Sequence, residues 1–234
     1  MIDFYYWPTP NGWKVAMLLE ELGVPYQMIP VNISKGDQFR DEFLAISPNN
    51  RMPAIVDHDV DGDPVSVFES GAVMWYLADK HEKFLPSDPV GRKEVMEWLF
   101  WQVGGQGPMA GQLSHFVNYA PEDIDNEYSL RRYKGEYERL LGVLDRRLEG
   151  REWLTGDQYT IADMICWPWV LIAKPLTSDL SPFSNVIAWR ARIKERPATQ
   201  AAVNLGKDLR RSAPPDEAER KLLFEQSAAS LPRK

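Results

Sequence analysis

Cysteine is nearly missing from this sequence. Cys166 is the only one in 234 residues, and histidine occurs three times, at His58, His81 and His115. One thiol excludes an internal disulfide and a metal site built from cysteines alone, and histidines this scattered do not form a zinc cluster. No metal is expected. Long hydrophobic runs are missing too: the longest, Met164 to Ala173, is closed by Lys174 at about half of the ~20 residues a membrane helix needs. The N-terminus, Met1-Ile2-Asp3-Phe4-Tyr5-Tyr6-Trp7, has no basic region, no long apolar stretch and no small-residue cleavage site, so neither a signal peptide nor a membrane partner is expected. Basic charge is not in excess: 27 Lys and Arg against 34 Asp and Glu leave a net charge of -7. Phosphate binding needs clustered cations, so nucleic acid is not an expected partner. The pairs Arg131-Arg132, Arg146-Arg147 and Arg210-Arg211 sit among acids and read as solvated helix faces. A reducing, cytoplasmic setting fits this cysteine usage.

What is present divides into two halves. Ile2 to Tyr6 reads as a strand, ended by the turn Pro8-Thr9-Pro10-Asn11-Gly12. Val15, Leu18, Leu19 and Leu22 then mark one face of a helix closed by Gly23. Tyr26 to Val31 reads as a strand, Phe39 to Ile46 as a short helix, Met52 to Val56 and Val65 to Phe68 as two antiparallel strands, and Glu69 to Lys80 as a helix. That order is thioredoxin-like. After the linker Leu85-Pro86-Ser87-Asp88-Pro89 only helices follow. A stripe over Val95 to Val103 is interrupted at Gly104-Gly105-Gln106-Gly107-Pro108, and a second stripe covers Tyr133 to Leu148. Thr160-Ile161-Ala162-Asp163 caps the start of a buried helix. The expected domains are 1–84, 90–205 and a loosely attached tail, 206–234, anchored by Leu222-Leu223-Phe224.

Three places combine residue types that chemistry can use. The turn around Thr9 and Asn11 directly precedes a helix, whose first amides and positive dipole end stabilise an anion and lower the pKa of a thiol held there. Both residues are also favoured helix caps, a reading that needs no ligand. At Arg51-Met52-Pro53-Ala54, a cis bond before a strand suits presentation of the Met52 backbone to an extended ligand; a trans proline simply starts an edge strand. At Phe68-Glu69-Ser70-Gly71, Ser70 and the following amides can hold a carboxylate and Glu69 an ammonium, the two charges of an α-amino acid head. A capped helix with an acid in its first turn explains the same residues.

Taken together, these segments resemble the glutathione transferases over nearly the whole chain, to about Leu205. The details are most similar to the nu class of bacterial transferases, which resemble the catalytic half of a yeast nitrogen regulator. The matching stretches are Pro8 to Gly12, Ile46 to Asp57, Trp98 to Gly105 and Ile161 to Trp169. The resemblance implies the glutathione transferase fold: an α/β thioredoxin-like N-terminal domain plus an all-α C-terminal domain. It implies glutathione as cosubstrate, one or two molecules per site. The γ-glutamyl head would lie at Glu69 and Ser70, the cysteinyl backbone at Met52 before cis-Pro53, and the thiol at Thr9 and Asn11. Gln38 and Arg51 would hold the other polar ends. It further implies a homodimer in which Arg132 reaches into the neighbouring subunit's site.

Some classes of the family keep a catalytic tyrosine near Tyr5 and Tyr6. Here both are read as structural, because the turn supplies Thr9 and Asn11. Cys166, deep in an apolar helix, is read as inert. Glutathione would then supply both thiols of a glutathione-dependent disulfide-bond reduction, with weak transferase or peroxidase activity. A detoxifying transferase acting on small electrophiles uses the same residues. A non-catalytic binding module is a third reading, against which the intact set of binding residues argues.

Overall fold

A computed structural model describes residues 1–121, 123–177, 179–210 and 214–230. It divides into two compact units, one comprising residues 1–77 and 201–234, the other residues 78–200. The sequence had suggested boundaries at 84 and 90 and a separate tail. The division instead falls within a helix and groups the C-terminal segment with the first unit.

The first unit is built on a four-stranded sheet in the order β2-β1-β3-β4. Strand β1 (Ile2–Tyr6) runs parallel to β2 (Tyr26–Pro30) and antiparallel to β3 (Ala54–Asp57), which pairs antiparallel with β4 (Val65–Phe68). Alternation along β1 buries Ile2, Phe4 and Tyr6 on one face. On the other face, half-buried Tyr5 packs with Phe43 in a small cluster with Val31 and Ala54. Helix α1 (Pro10–Leu22) starts with Thr9 as N-cap and Pro10 in its first turn, and stops at Gly23 in a left-handed conformation with φ 67°. Its expected apolar face is there, but burial extends all round: every residue from Gly12 to Leu19 is buried. A short α2 (Asp41–Leu44) follows a single 3-10 turn at Asp37–Phe39, and α3 (Ser70–Lys80) leaves the end of β4.

Strand β3 starts two residues later than the sequence suggested, at Ala54, because Pro53 has no N–H to give to a ladder. Its register then decides the geometry of the unit. Ala54 lies opposite both Tyr5 and Phe68. The end of β1, the start of β3 and the end of β4 therefore meet at one edge of the sheet, and from that edge run all three segments singled out above.

Gly12 shows how tightly that edge is packed. A Cβ there would lie 2.4 Å from the Trp7 carbonyl oxygen and 2.7 Å from the Tyr6 ring. Trp7 is part of the backbone turn and Tyr6 is fully buried, so neither can yield cheaply. Gly12→Ala should cost ~1–3 kcal/mol of overpacking. The check is a thermal melt, in which an unchanged midpoint would contradict the packing described here.

The helical unit opens with α4 (Pro89–Trp101), capped by Asp88, whose carboxylate accepts from the Val90 and Gly91 amides. The expected interruption at the glycines takes the form of a π-helical turn, Gln102–Gln106, before α5 (Gly107–Asn118). Helix α6 (Glu127–Leu148) buries Tyr137, Leu140, Leu141, Leu144 and Leu148, the predicted stripe apart from half-buried Tyr133. Helix α7 (Ile161–Leu171) is buried from Ile161 to Val170 and begins with a complete capping box between Thr160 and Asp163. Short α8 (Ala173–Leu176) and α9 (Ser184–Lys194) follow, and α10 (Pro197–Asn204) crosses the division. Among the described residues no helix is long and apolar enough to cross a membrane.

The segment after Gly206, expected to be loosely attached, contains helix α11 (Glu217–Phe224), with a capping box of Asp216 and Glu219. It makes specific contacts within the first unit. The Arg210 guanidinium lies over the Trp13 ring and Leu222 lies against Gly36; just before the segment, the Leu205 carbonyl accepts from the Tyr6 hydroxyl (3.1 Å). Neither Tyr6, read as a strand residue, nor Gly36, in a polar loop, announced a C-terminal partner 170 or more positions away.

Candidate functional site

Thr9, Met52, Glu69 and Ser70 sit on separate loops at the common sheet edge, and three side-chain contacts tie those loops together. The Thr9 hydroxyl caps α1 by accepting from the Gly12 amide (3.4 Å) and donates to the Met52 sulfur (3.9 Å). Asn49 donates from Nδ2 to Glu69 Oε1 (2.9 Å). Lys14 on α1 donates from Nζ to the Ser70 hydroxyl oxygen (3.3 Å). The start of α1, the turn before β3 and the start of α3 thus form a closed ring of contacts. The capping role of Thr9 is real, and its one hydroxyl proton points to the Met52 sulfur.

The turn before β3 is held from behind. Ser47, fully buried, donates its hydroxyl to the Arg51 carbonyl (2.7 Å), and the Met52-Pro53 bond is cis, as the sequence suggested. Backbone strain appears at the same places: Asn50 has φ 47° and Glu69 φ 69°. Asn tolerates the left-handed region. Glu does not, and holding it there costs ~1–3 kcal/mol that the surrounding structure must offset.

Gln38 is buried at 2% exposure; its Nε2 donates to the Ile33 carbonyl (3.1 Å), while its Oε1 has no hydrogen-bond partner among the described residues. A buried acceptor without a donor costs about 1–3 kcal/mol, so a ligand amide or ammonium arriving there would be favoured. Arg51 is exposed and donates to Gln226 Oε1 (2.7 Å). Asn11 lies in the first turn of α1, half-buried. Arg132 is exposed on α6 in the helical unit. The first unit thus offers an exposed acid, a buried cation beside a hydroxyl, an exposed guanidinium and an orphaned amide oxygen. The acid and the amide oxygen can accept from an ammonium or an amide, and the guanidinium can donate to a carboxylate.

The phenols of Tyr5 and Tyr6 are both raised above the ordinary tyrosine value. Burial pushes the Tyr6 phenol up, to about 12, against the pull of the Arg210 charge, and its hydroxyl is committed to Leu205. Burial likewise raises Tyr5, with Asp3 adding to it. Cys166 is fully buried in α7, in the helical unit. Among the described residues no group of three or more His, Cys, Asp or Glu could hold a metal ion.

Sequence reasoning missed three residues of this arrangement: Lys14, Asn49 and Gln226. Only Lys14 left a signal. Val15, Ala16, Met17, Leu18 and Leu19 give α1 no polar side at that level, so the lysine next to them has to lie inside. Asn49 and Gln226 find their partners 20 and 175 positions away, distances at which no local pattern operates.

With this geometry in hand, known proteins supply the context. The glutathione S-transferase N-terminal domain family matches residues 9–80, and the C-terminal domain family residues 114–197. The disulfide-bond oxidoreductase YfcG of Escherichia coli is 50% identical over 205 residues, covering 87% of this chain and 94% of that protein. A glutathione transferase of Burkholderia graminis, solved with two glutathione molecules bound per subunit, is 44% identical with a TM-score of 0.84, covering 88% of each chain. One from Pseudomonas putida, solved with one glutathione disulfide bound per subunit, is 40% identical with a TM-score of 0.83, covering 88% of this chain and 91% of the other. On sequence and on architecture alike, the chain belongs to the glutathione S-transferase family.

Proposed function

We propose that this protein is a glutathione-dependent disulfide-bond reductase of the nu class, acting as a cytoplasmic homodimer. The observation that carries the reading is the distribution of groups: the Thr9 turn, the Met52-Pro53 turn and the Glu69-Ser70 start of α3 meet through side-chain contacts in the first unit, while the only cysteine of the chain is buried in the other. A reductase so built has to take both thiols from its cosubstrate. The names and ligands of the relatives point the same way, two glutathiones in one and their disulfide in another.

In this reading Glu69 and Ser70 hold the γ-glutamyl head, Met52 before Pro53 the cysteinyl backbone, and Arg51 and Gln38 the remaining polar ends. The thiol meets the first amides of α1 together with Thr9 and Asn11, which stabilise its anion. That thiolate attacks a substrate disulfide, forming a mixed disulfide and releasing one substrate thiolate. A second glutathione thiolate then attacks the glutathione sulfur, releasing the other substrate thiolate and glutathione disulfide. Two electrons pass from two glutathiones to one disulfide. Weak conjugation of electrophiles follows from the same thiolate. No step uses a metal.

Arg132 acts across the dimer in this reading. Arg132→Ala should weaken glutathione binding about tenfold or more, the worth of a lost charge-assisted hydrogen bond. Light scattering should give a dimer. A monomer, or unchanged affinity, removes the shared site.

A crystal soaked with glutathione tests the function directly. Two sulfurs near Thr9 are expected. One sulfur facing an empty apolar pocket would instead make the protein a conjugating transferase, and no binding at all would leave a non-catalytic module.

A further inference from the structure

We infer that Lys14 is a positioning residue for carboxylate recognition: its buried ammonium turns the Ser70 hydroxyl into a dedicated donor for the α-carboxylate of the γ-glutamyl head. The inference rests on the glutathione reading of the site. It adds to that reading a residue, a direction for the Ser70 proton and a source of selectivity.

The argument begins with burial. Lys14 is 2% exposed and Ser70 7%, and Nζ lies 3.3 Å from Oγ. A lysine ammonium has three donors and no acceptor, so in this contact the serine oxygen must accept. A hydroxyl has one proton. With Oγ already accepting from Lys14 on one side, that proton is directed to another side, and Ser70 faces its next partner as a donor. Carboxylates are pure acceptors and ammonium groups pure donors. Ser70 so oriented favours the carboxylate of an amino acid head, and the Lys14 charge behind it disfavours an ammonium.

Charge reinforces direction. The ammonium stands one hydroxyl behind the place where the carboxylate would sit, in an interior where a charge is screened far less than in water. Ser70 is also the first residue of α3, an eleven-residue helix whose unpaired amides and positive dipole end add to the same potential. On the neighbouring residue the polarity is opposite. Asn49 donates to Glu69 Oε1, which fixes the carboxylate and leaves its other oxygen for a cation. Adjacent residues thus have assigned signs, Glu69 for the ammonium and Ser70 for the carboxylate, and the contact with Lys14 fixes the second assignment.

Full-length wild type and Lys14→Met are titrated calorimetrically with glutathione and with its analogue lacking the α-carboxylate, 4-aminobutyryl-cysteinyl-glycine. Wild type should prefer glutathione by about tenfold or more, a charge-assisted hydrogen bond's worth. Lys14→Met should lose most of that preference, weakening glutathione about tenfold and the analogue less than twofold. In turnover the loss should fall on the KM for glutathione, with kcat within about twofold. Lys14→Met with Ser70→Ala should bind no worse than the weaker single variant, because one residue acts through the other. If Lys14→Met fails to fold, Lys14→Gln, a neutral donor of similar reach, takes its place, with an intermediate loss of preference expected. Equal weakening of both ligands would show Lys14 to be structural support only and overturn the inference, leaving the site reading intact. Absence of preference in the wild type would overturn the site reading itself.

Discussion

Thr9→Ala and Asn11→Ala should each slow glutathione-dependent disulfide reduction at least tenfold, while Cys166→Ser stays within about twofold of wild type. Under the proposed function, both side chains meet the cosubstrate thiolate at the start of α1. Losing one hydrogen bond to a charged group costs about 1.5–3 kcal/mol, and each 1.36 kcal/mol is tenfold in rate. Thr9 carries a second duty, since its hydroxyl caps α1 through the Gly12 amide. Loss of the cap costs about 1 kcal/mol of stability, which a melting curve separates from the rate. Thr9→Ser keeps the hydroxyl and should restore both. Cys166 is fully buried, so its replacement places a hydroxyl in an apolar core, costing about 1–3 kcal/mol in stability without touching the chemistry. The measurement is reduction of a small disulfide by glutathione, coupled to a nicotinamide-dependent reductase. Should folded Cys166→Ser be inactive and Thr9→Ala active, the reacting sulfur belongs to the protein, and the proposed mechanism is wrong at its centre.

Asp163→Ala should remove at least about 3 kcal/mol of stability and leave little folded protein at 37 °C. The side chain is fully buried at the start of α7. Its Oδ1 accepts from the Leu154 amide and the Trp189 indole, each at 2.9 Å, and its Oδ2 from the Thr160 amide at 3.1 Å. Burial pushes the carboxyl up to about 6, although these hydrogen bonds pull it down. Alanine strands three buried N–H groups at roughly 1–3 kcal/mol each, two in the loop before α7 and one on α9. Denaturant unfolding of the variant checks this. A loss below 1 kcal/mol would mean that the loop before α7 and the Trp189 indole have other partners. Thr160→Ala, which keeps the Asp163 carboxylate, should cost only about 1 kcal/mol, the worth of a single cap.

Much of this molecule was legible in its residues because the signals are local. Strand β1, helix α1 with its Thr9 cap and Gly23 stop, the antiparallel β3–β4 pair, the break at the glycines before α5 and the Thr160-Asp163 box all depend on neighbours within a few positions. Glu69-Ser70 and Met52-Pro53 stood out for the same reason, as did the exclusion of disulfides by a single cysteine. The family resemblance rests on such stretches taken together.

Other features depend on pairings that no local pattern encodes. The start of β3 at Ala54 follows from the ladder, which Pro53 cannot join. The register of Ala54 with both Tyr5 and Phe68 brings three loops to one edge. The contact of Asn49 with Glu69, the strain at Glu69, the Gln226 partner of Arg51 and the commitment of the Tyr6 hydroxyl to Leu205 all cross long stretches of chain. Lys14 is the sharpest case. In the sequence the apolar run behind it places it inside but names no partner for it. Enclosure of α1 on every side turned it inward beside Ser70, because a buried ammonium must find an oxygen and that hydroxyl stands 3.3 Å away. Residue types and their spacing thus determined the elements and the chemistry on offer. Tertiary structure alone decided which groups meet, because long-range packing sets burial, and burial sets what each polar group has to bind.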